Sequence, residues 1–115
     1  MDKRREPRLA HGLKFIAHIH ECLDDPGLEG ESIECHAIDV STHGIQLHTD
    51  KALVPNTLLN IVISIGDPPT QYKLRGEIRW TKIIDNNCHM GVVFSEEKGT
   101  DLDAWGAHID RLSEV

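Results

Sequence analysis

Apolar and polar residues alternate along most of the chain, a period typical of β-strands with one buried face. In the first such segment Leu13, Phe15, Ala17 and Ile19 share a face. In the clearest one, residues 72–81, apolar or small residues hold the even positions and mostly polar ones the odd positions. Aromatic residues in strands usually pack in a wall or core, so we expect Trp80 in the barrel wall or core. The alternation predicts six strands, near residues 13–20, 32–38, 44–49, 58–65, 72–81 and 88–94.

The end of the chain has a different period. Leu102, Trp105, Ile109 and Leu112 recur at helical spacing behind a Thr100-x-x-Asp103 sequence, which resembles a capping box. Turn-forming residues separate the earlier segments. Strands followed by one terminal helix predict an all-β fold, an antiparallel barrel with a helix laid on it.

Composition limits the class of protein. A chain of 115 residues suits one domain. It contains neither an 18-residue apolar run nor a signal peptide, so we expect no membrane span. The three cysteines, Cys22, Cys35 and Cys88, are odd in number and lack metal-ligand spacing, which favours reduced thiols in a cytoplasm.

Charge is distributed unevenly. Residues 1–14 carry five basic and two acidic side chains, a net charge of +3, which leaves −10 for the rest of a chain whose total is −7. A protein that coats DNA or RNA would normally be basic throughout. A positive arm on an acidic body better suits a small anionic ligand.

Two short stretches carry candidate chemistry. In residues 39–44, an extended chain would place the Asp39 carboxylate and the Ser41 hydroxyl on the same side, and Gly44 would permit positive φ or close ligand approach. The alternative is a turn whose side chains satisfy only its own backbone.

Near the N-terminus, Arg4 and Arg8 are spaced R-x-x-x-R; arginines on an arm can bind an anion bidentately or stack on a purine. Here the alternative is a solvated basic tail.

In this order the motifs resemble the PilZ domain family. Four family motifs occur in register, namely R-x-x-x-R (Arg4, Arg8), D-x-S-x-x-G (Asp39, Ser41, Gly44), a G-x-[VI]-x-W strand (residues 76–80) and a G-[VI]-x-F strand (residues 91–94). The resemblance covers nearly the whole chain. It implies a six-stranded antiparallel PilZ-type β-barrel with a C-terminal α-helix, and a receptor for the bacterial second messenger cyclic di-GMP.

The resemblance also implies roles for the motif residues. Arg4 and Arg8 would clamp phosphate or guanine, Asp39 would accept from guanine N–H groups, Ser41 would donate to the ligand, and Gly44 would leave room for a ring.

Three neighbouring residues are further candidates for contact with cyclic di-GMP. Arg5 is either a third anion contact or surplus charge, and His43 either stacks on the ligand or crowds it. Lys3 precedes the first motif arginine, where a basic residue in the family tends to accompany a stacked ligand dimer rather than a single molecule. The stoichiometry therefore stays open.

We predict residues 1–11 as a flexible basic arm, residues 12–97 as the barrel and residues 98–115 as the helix of the same domain. The resemblance implies a cytoplasmic bacterial protein, a monomer or weak homodimer, acting through an unidentified effector protein in processes such as biofilm formation or motility. No cofactor, DNA or RNA is expected. The alternative is a protein–protein interaction module that works without ligand, for example in pilus or motility regulation.

The histidines, the cysteines and the 39–44 turn suggest two other functions. Eight histidines and three cysteines suggest a metal site, but adjacent Cys–His pairs point to opposite strand faces and offer one ligand per face. Asp39, Ser41 and His43 invite comparison with a catalytic triad, but three members within five residues of one hairpin do not line up as nucleophile, base and orienter. We expect neither a metal nor an enzyme.

Overall fold

The computed structural model describes residues 13–66 and 68–113. The six predicted strands and the C-terminal helix are all present in these ranges. They are β1 (Lys14–Glu21), β2 (Ser32–Val40), β3 (Gly44–Thr49), β4 (Leu58–Ile65), β5 (Thr70–Ile84), β6 (Asn87–Ser95) and α1 (Leu102–Ser113), with a 3-10 turn at Pro26–Leu28.

The strands form one closed antiparallel barrel. Their spatial order is β1-β2-β3-β6-β5-β4, and pairing of β1 with β4 completes the circle. Each of these strands therefore has a neighbour on both sides, which removes the exposed edges that an open sheet would leave. The predicted fold class, an all-β six-stranded antiparallel barrel with a C-terminal α-helix, is confirmed.

Alternation fills the barrel interior as predicted over most of its length. Phe15, Ala17 and Ile19 of β1 are buried. The β4–β5 ladder is regular, with an unbroken register from Leu58↔Glu77 to Ile65↔Thr70. Within residues 13–66 and 68–113, no helix is both long and apolar enough to cross a membrane.

The helix packs on the barrel through Trp105, which is fully buried between the rings of Tyr72 and Phe94. Its start differs from the prediction. The helix begins at Leu102, and Asp101 precedes it; the Asp101 carbonyl accepts the first helical hydrogen bond from Trp105 N–H, at 2.9 Å. The Thr100 hydroxyl instead donates to the Glu97 carbonyl in the preceding turn, at 2.8 Å.

Candidate functional site

A groove of about 270 Å³ lies on the outer face of the barrel, where the ends of β2 and β3 meet β5 and β6. It gathers three of the motif residues predicted to bind ligand. Its lining comprises Asp39, Val40, Ser41, Gly44, Ile45, Gln46, Arg79, Trp80, Gly91, Val92 and Val93.

Asp39 reaches this groove because of a β-bulge in β2. Ile33, Cys35 and Ala37 are buried inside the barrel, so simple alternation would also turn Asp39 inward. The β2–β3 register shifts between Ala37 and Asp39. The extra residue re-aims the Asp39 side chain to the outer face, opposite Gln46.

A second bulge does the same for Trp80 in β5. The β5–β6 register shifts between Ile78 and Trp80. Ile78 is fully buried, whereas Trp80 turns outward and is 43% exposed. Of the two places predicted for Trp80, the barrel wall or the core, the structure shows the wall. The indole lies over Gly91, its cross-strand partner, where an added Cβ would collide with the indole nitrogen. Gly91 thus gives Trp80 its position in the groove.

Arg79 is the extra residue of this second bulge and brings a cation to the groove. Its guanidinium lies 3.8 Å from the Glu77 carboxylate, and the Arg79 side chain is 59% exposed. An exposed ion pair at that distance contributes little to stability. The guanidinium can therefore turn toward an anion at small cost.

The turn between β2 and β3 is held by the Ser41 side chain. Its hydroxyl oxygen accepts from the backbone N–H groups of His43 and Gly44, at 3.3 and 3.2 Å, and its backbone N–H donates to the Gly44 carbonyl at 2.9 Å. This is the self-satisfied turn that the sequence left as an alternative. Ser41 therefore shapes the groove wall, whatever contact it makes with a ligand.

Gly44 and His43 have different surroundings on this turn. Gly44 does not have a positive φ. Glycine is required at this position because an added Cβ would collide with the Val92 carbonyl of β6. The exposed His43 ring lies beside Thr42, with its Nδ1 2.9 Å from the Thr42 hydroxyl, and His43 is not part of the groove lining.

The helix is connected directly to this turn. The indole N–H of Trp105 donates to the Ser41 carbonyl at 2.9 Å. Because Trp105 is fully buried against the barrel, the hydrogen bond ties the turn to a fixed part of the molecule.

Four candidate residues, Lys3, Arg4, Arg5 and Arg8, lie outside the described residues. Among the described residues, Leu13 is the nearest to them in sequence. The Leu13 carbonyl accepts from the Ala37 N–H at 2.8 Å, two residues before Asp39. Leu13 thus lies at the groove end of β2.

Another depression, of about 310 Å³, lies where the chain enters α1. Three acidic residues, Glu96, Glu97 and Asp103, line it with one basic residue, Lys98. That balance disfavours an anionic ligand, and the motif residues lie elsewhere. The groove at Asp39 is therefore the stronger candidate.

The adjacent Cys–His pairs separate as the strand geometry predicts. Cys35 and Cys88 are buried, while His36 and His89 lie on the outer face. Burial, with a smaller effect of the Glu34 charge, raises the pKa of the Cys35 thiol to about 12, so the thiol is protonated at neutral pH and a poor metal ligand or nucleophile. Within the described ranges, no group of three or more His, Cys, Asp or Glu side chains is arranged to hold a metal ion.

Sequence reasoning missed Arg79, Trp80 and Gln46 as groove residues. Part of the signal lies in the turn-forming residues Asp85-Asn86 between β5 and β6. In the structure both residues have positive φ and form a two-residue hairpin turn that pairs Ile84 with Asn87. Counting back from that pair places Trp80 opposite Gly91, and the extra residue at Arg79 then puts Trp80 and Ile78 on opposite faces.

Comparisons with known proteins agree with this architecture. Four chains of solved structures match, among them MrkH from K. pneumonia in its apo state, with a TM-score of 0.64 and 20% sequence identity. The match covers 97% of this chain and 53% of the MrkH chain, so this chain spans about half of MrkH. No curated protein matches. The sequence model of the PilZ domain matches residues 2–112, which confirms the predicted resemblance. The chain belongs to the PilZ domain family.

Proposed function

We propose that this PilZ domain is a cytoplasmic bacterial receptor for cyclic di-GMP that acts through a protein partner. The observation that carries the proposal is the pair of bulges, which turns Asp39 and Trp80 out of the core into one groove beside Ser41 and Gly44. Membership of the family supports a cyclic di-GMP receptor of PilZ type.

The groove chemistry suits a guanine nucleotide. A carboxylate such as that of Asp39 accepts well from the N1–H and N2–H₂ donors of guanine, while the exposed Trp80 indole offers a face for base stacking. Arg79 supplies a cation for phosphate. The ordered Ser41–Gly44 turn holds the groove wall in place before ligand arrives.

The basic arm has the reach to complete the site. Arg8 precedes Leu13 by five residues, a span of up to roughly 17 Å when extended, and Arg4 precedes it by nine, up to roughly 30 Å. Leu13 is hydrogen-bonded at Ala37, about 7 Å along β2 from Asp39. Both guanidiniums can therefore meet a ligand in the groove, with Lys3, Arg5 and His43 as further contacts.

Ligand binding would fix residues 1–11 across residues 12–97 and place the positive arm on an acidic body. A protein partner could then recognise the changed surface, as in other order–disorder switches. We propose a monomer or weak homodimer in this role, binding neither DNA nor RNA. Residues 98–115, through Trp105, would couple the groove to the rest of the surface.

Isothermal titration with cyclic di-GMP tests the proposal, with GTP and cyclic GMP as control ligands. We expect saturable, selective binding, and the stoichiometry distinguishes one molecule from a stacked dimer. Arg8→Ala should weaken binding by roughly tenfold to a hundredfold, because a charged hydrogen bond contributes about 1.5–3 kcal/mol. The matched control is Lys51→Ala, which removes a cation that pairs with Glu31 at 3.0 Å outside the groove.

Thermal melts of both variants should stay close to the wild-type curve. Equal affinities of the Arg8→Ala and Lys51→Ala proteins would refute the assignment of the arm to the site. Absence of binding at high ligand concentration would instead favour the interaction module that works without ligand.

A further inference from the structure

Three histidines form a continuous row on the outer face of the barrel. His36 of β2 lies opposite His48 of β3, and His48 lies opposite His89 of β6. Their rings stack, with centroids 5.0 and 5.3 Å apart and interplanar angles of 11° and 29°. Stacked rings present parallel faces to one another, so their nitrogens do not converge on a common point.

This row adjoins the ligand groove. Gln46 precedes His48 by two residues on the same face of β3, and Gly91 follows His89 by two residues on β6. Two residues of an extended strand span about 7 Å. The imidazoles therefore form the next cross-strand row after the one that contains Asp39, Gln46, Gly91 and Trp80.

Lysines extend the row at both ends. Lys14 of β1 lies opposite His36, and Lys82 of β5 lies opposite His89. The charged groups nearest along the strands are Glu34 on β2, Asp50 after β3, and Asp39 and Arg79 at the groove; β6 contributes the neutral Asn87. The face thus combines lysines at its edges, three ionisable rings between them, and carboxylates in the neighbouring positions along the strands.

The surroundings of the central histidine, His48, favour its neutral form. His48 Nδ1 is buried and has no hydrogen-bond partner among the residues described. Burial first, and then the neighbouring His36 and His89, lower the pKa of His48 below its usual 6.5. A nearby anion would oppose both effects, because it favours the charged form of each imidazole.

We propose that the His36–His48–His89 row is a proton-dependent anion-binding surface beside the groove, which gains positive charge when a cyclic dinucleotide binds. The inference rests on the proposed function, since it assigns regulation to the same site. Cyclic dinucleotides keep two phosphate charges throughout the neutral range. Binding therefore takes up protons, and by linkage the affinity increases as the pH falls.

The size of the effect follows from distance. The histidine row lies two strand residues, about 7 Å, from the groove row. One unit charge gained at that distance from an anion in the groove should increase affinity roughly threefold to tenfold between pH 8 and pH 6. The effect should diminish at high salt, because the row is close to solvent.

The test is titration of the full chain with cyclic di-GMP at pH 8, 7 and 6 and constant ionic strength. Each pH is repeated in two buffers of different ionisation enthalpy, which counts the protons taken up. We expect proton uptake and tighter binding at pH 6 for the wild type. His48→Gln should reduce both, and the triple variant with Gln at positions 36, 48 and 89 should abolish both.

His20→Gln is the matched control, since His20 is an exposed histidine on β1 outside the row. It should keep the wild-type pH dependence. If His48→Gln melts at a lower temperature, His36→Gln provides a second single-site test. Thermal melts identify folded variants before titration.

The outcomes separate the two proposals. Binding that is equally tight at pH 8 and pH 6 without proton uptake overturns the proposal for the histidine row and leaves the proposed receptor function intact. The same holds if the triple variant keeps the wild-type slope. Absence of cyclic di-GMP binding at every pH overturns both.

Discussion

Along β4 and the first half of β5, residue pairs follow one another from Leu58↔Glu77 to Ile65↔Thr70 without a register shift, and every second side chain of β4 is buried. The groove ends of β2 and β5 contrast with this ladder. There the register shifts just before Asp39 and Trp80, and both side chains turn to the outer face. The regular ladder builds the core, whereas the bulges take side chains out of it.

The difference implies that the regular ladder determines stability and that the bulges determine ligand binding. A bulge costs ladder hydrogen bonds and packing, so it persists where a re-aimed side chain has a use. We therefore expect substitutions in the β4–β5 ladder to change the free energy of unfolding and to leave the ligand affinity of the folded protein unchanged. Substitutions at the bulges should mainly change affinity.

The largest effect is expected for Ile61→Ala in the regular ladder. Ile61 is 1% exposed, and truncating such a side chain leaves a cavity that costs about 2–5 kcal/mol of unfolding free energy. Denaturant unfolding measures the loss, and titration should show unchanged affinity. The matched control, Ile83→Ala, truncates a side chain that is 61% exposed and should cost less than about 0.5 kcal/mol. A large affinity loss in the Ile61 variant would contradict the expectation that the ladder affects stability and not ligand affinity.

Gly91→Ala should come next, and it should affect both properties. The new Cβ would collide with the Trp80 indole and displace it, at a cost of about 1–3 kcal/mol for overpacking. Loss of the stacking face should weaken cyclic di-GMP binding by roughly tenfold. Gly106→Ala is the control, because nothing lies within 4 Å of a Cβ at that helical position; it should be neutral or slightly stabilising.

A double variant tests whether Gly91→Ala lowers stability through its collision with Trp80. Adding Trp80→Ala to Gly91→Ala removes the colliding ring, so most of the lost stability should return while binding stays weak. Independent, additive stability losses would show that Gly91 acts through something other than Trp80.

Tyr72→Phe tests a polar contact of the regular ladder. The Tyr72 hydroxyl lies 2.6 Å from His108 Nδ1 and connects β5 to α1. Deleting the hydroxyl alone should cost about 0.5–1.5 kcal/mol, measured by denaturant unfolding, with no change in ligand affinity. A double-mutant cycle with His108→Ala isolates the pair, and a coupling energy near zero would contradict the hydrogen bond.

Much of the fold could be predicted because the signals are local. Two-fold alternation identifies Phe15, Ala17 and Ile19 as a buried face, and helical spacing identifies Trp105 and Ile109 as the packed side of α1. Each signal depends only on which residues are apolar and how far apart they stand. The start of α1 was misplaced because Asp101 is paired with Lys73 of β5, a distant contact that no local pattern reveals.

The candidate site was predicted only where a motif marks it. Asp39, Ser41 and Gly44 were identified by resemblance, although strict alternation would have buried Asp39. Alternation could not decide between the wall and the core for Trp80, since nothing in residues 72–81 reveals the bulge at Arg79. The histidine row was also invisible, because His36, His48 and His89 come together only through the pairing of three strands. The candidate site thus lies where alternation fails in β2 and β5.

The smallest effect concerns the ligand-free protein and pH. The pKa of His48 is lowered in the folded state, so between that value and the usual 6.5 the unfolded chain binds more protons than the folded one. The resulting stability is fully present above about pH 6.5 and is lost as the pH falls through the folded pKa. Melting temperatures of wild type and His48→Gln, compared from pH 7.5 to pH 5, should converge or cross as the wild type alone loses this contribution. Melting curves that stay parallel over that range would show that His48 binds a proton as readily in the folded protein as in the unfolded chain. The outer face beside the groove would then not differ electrostatically from the outer face of the regular β4–β5 ladder.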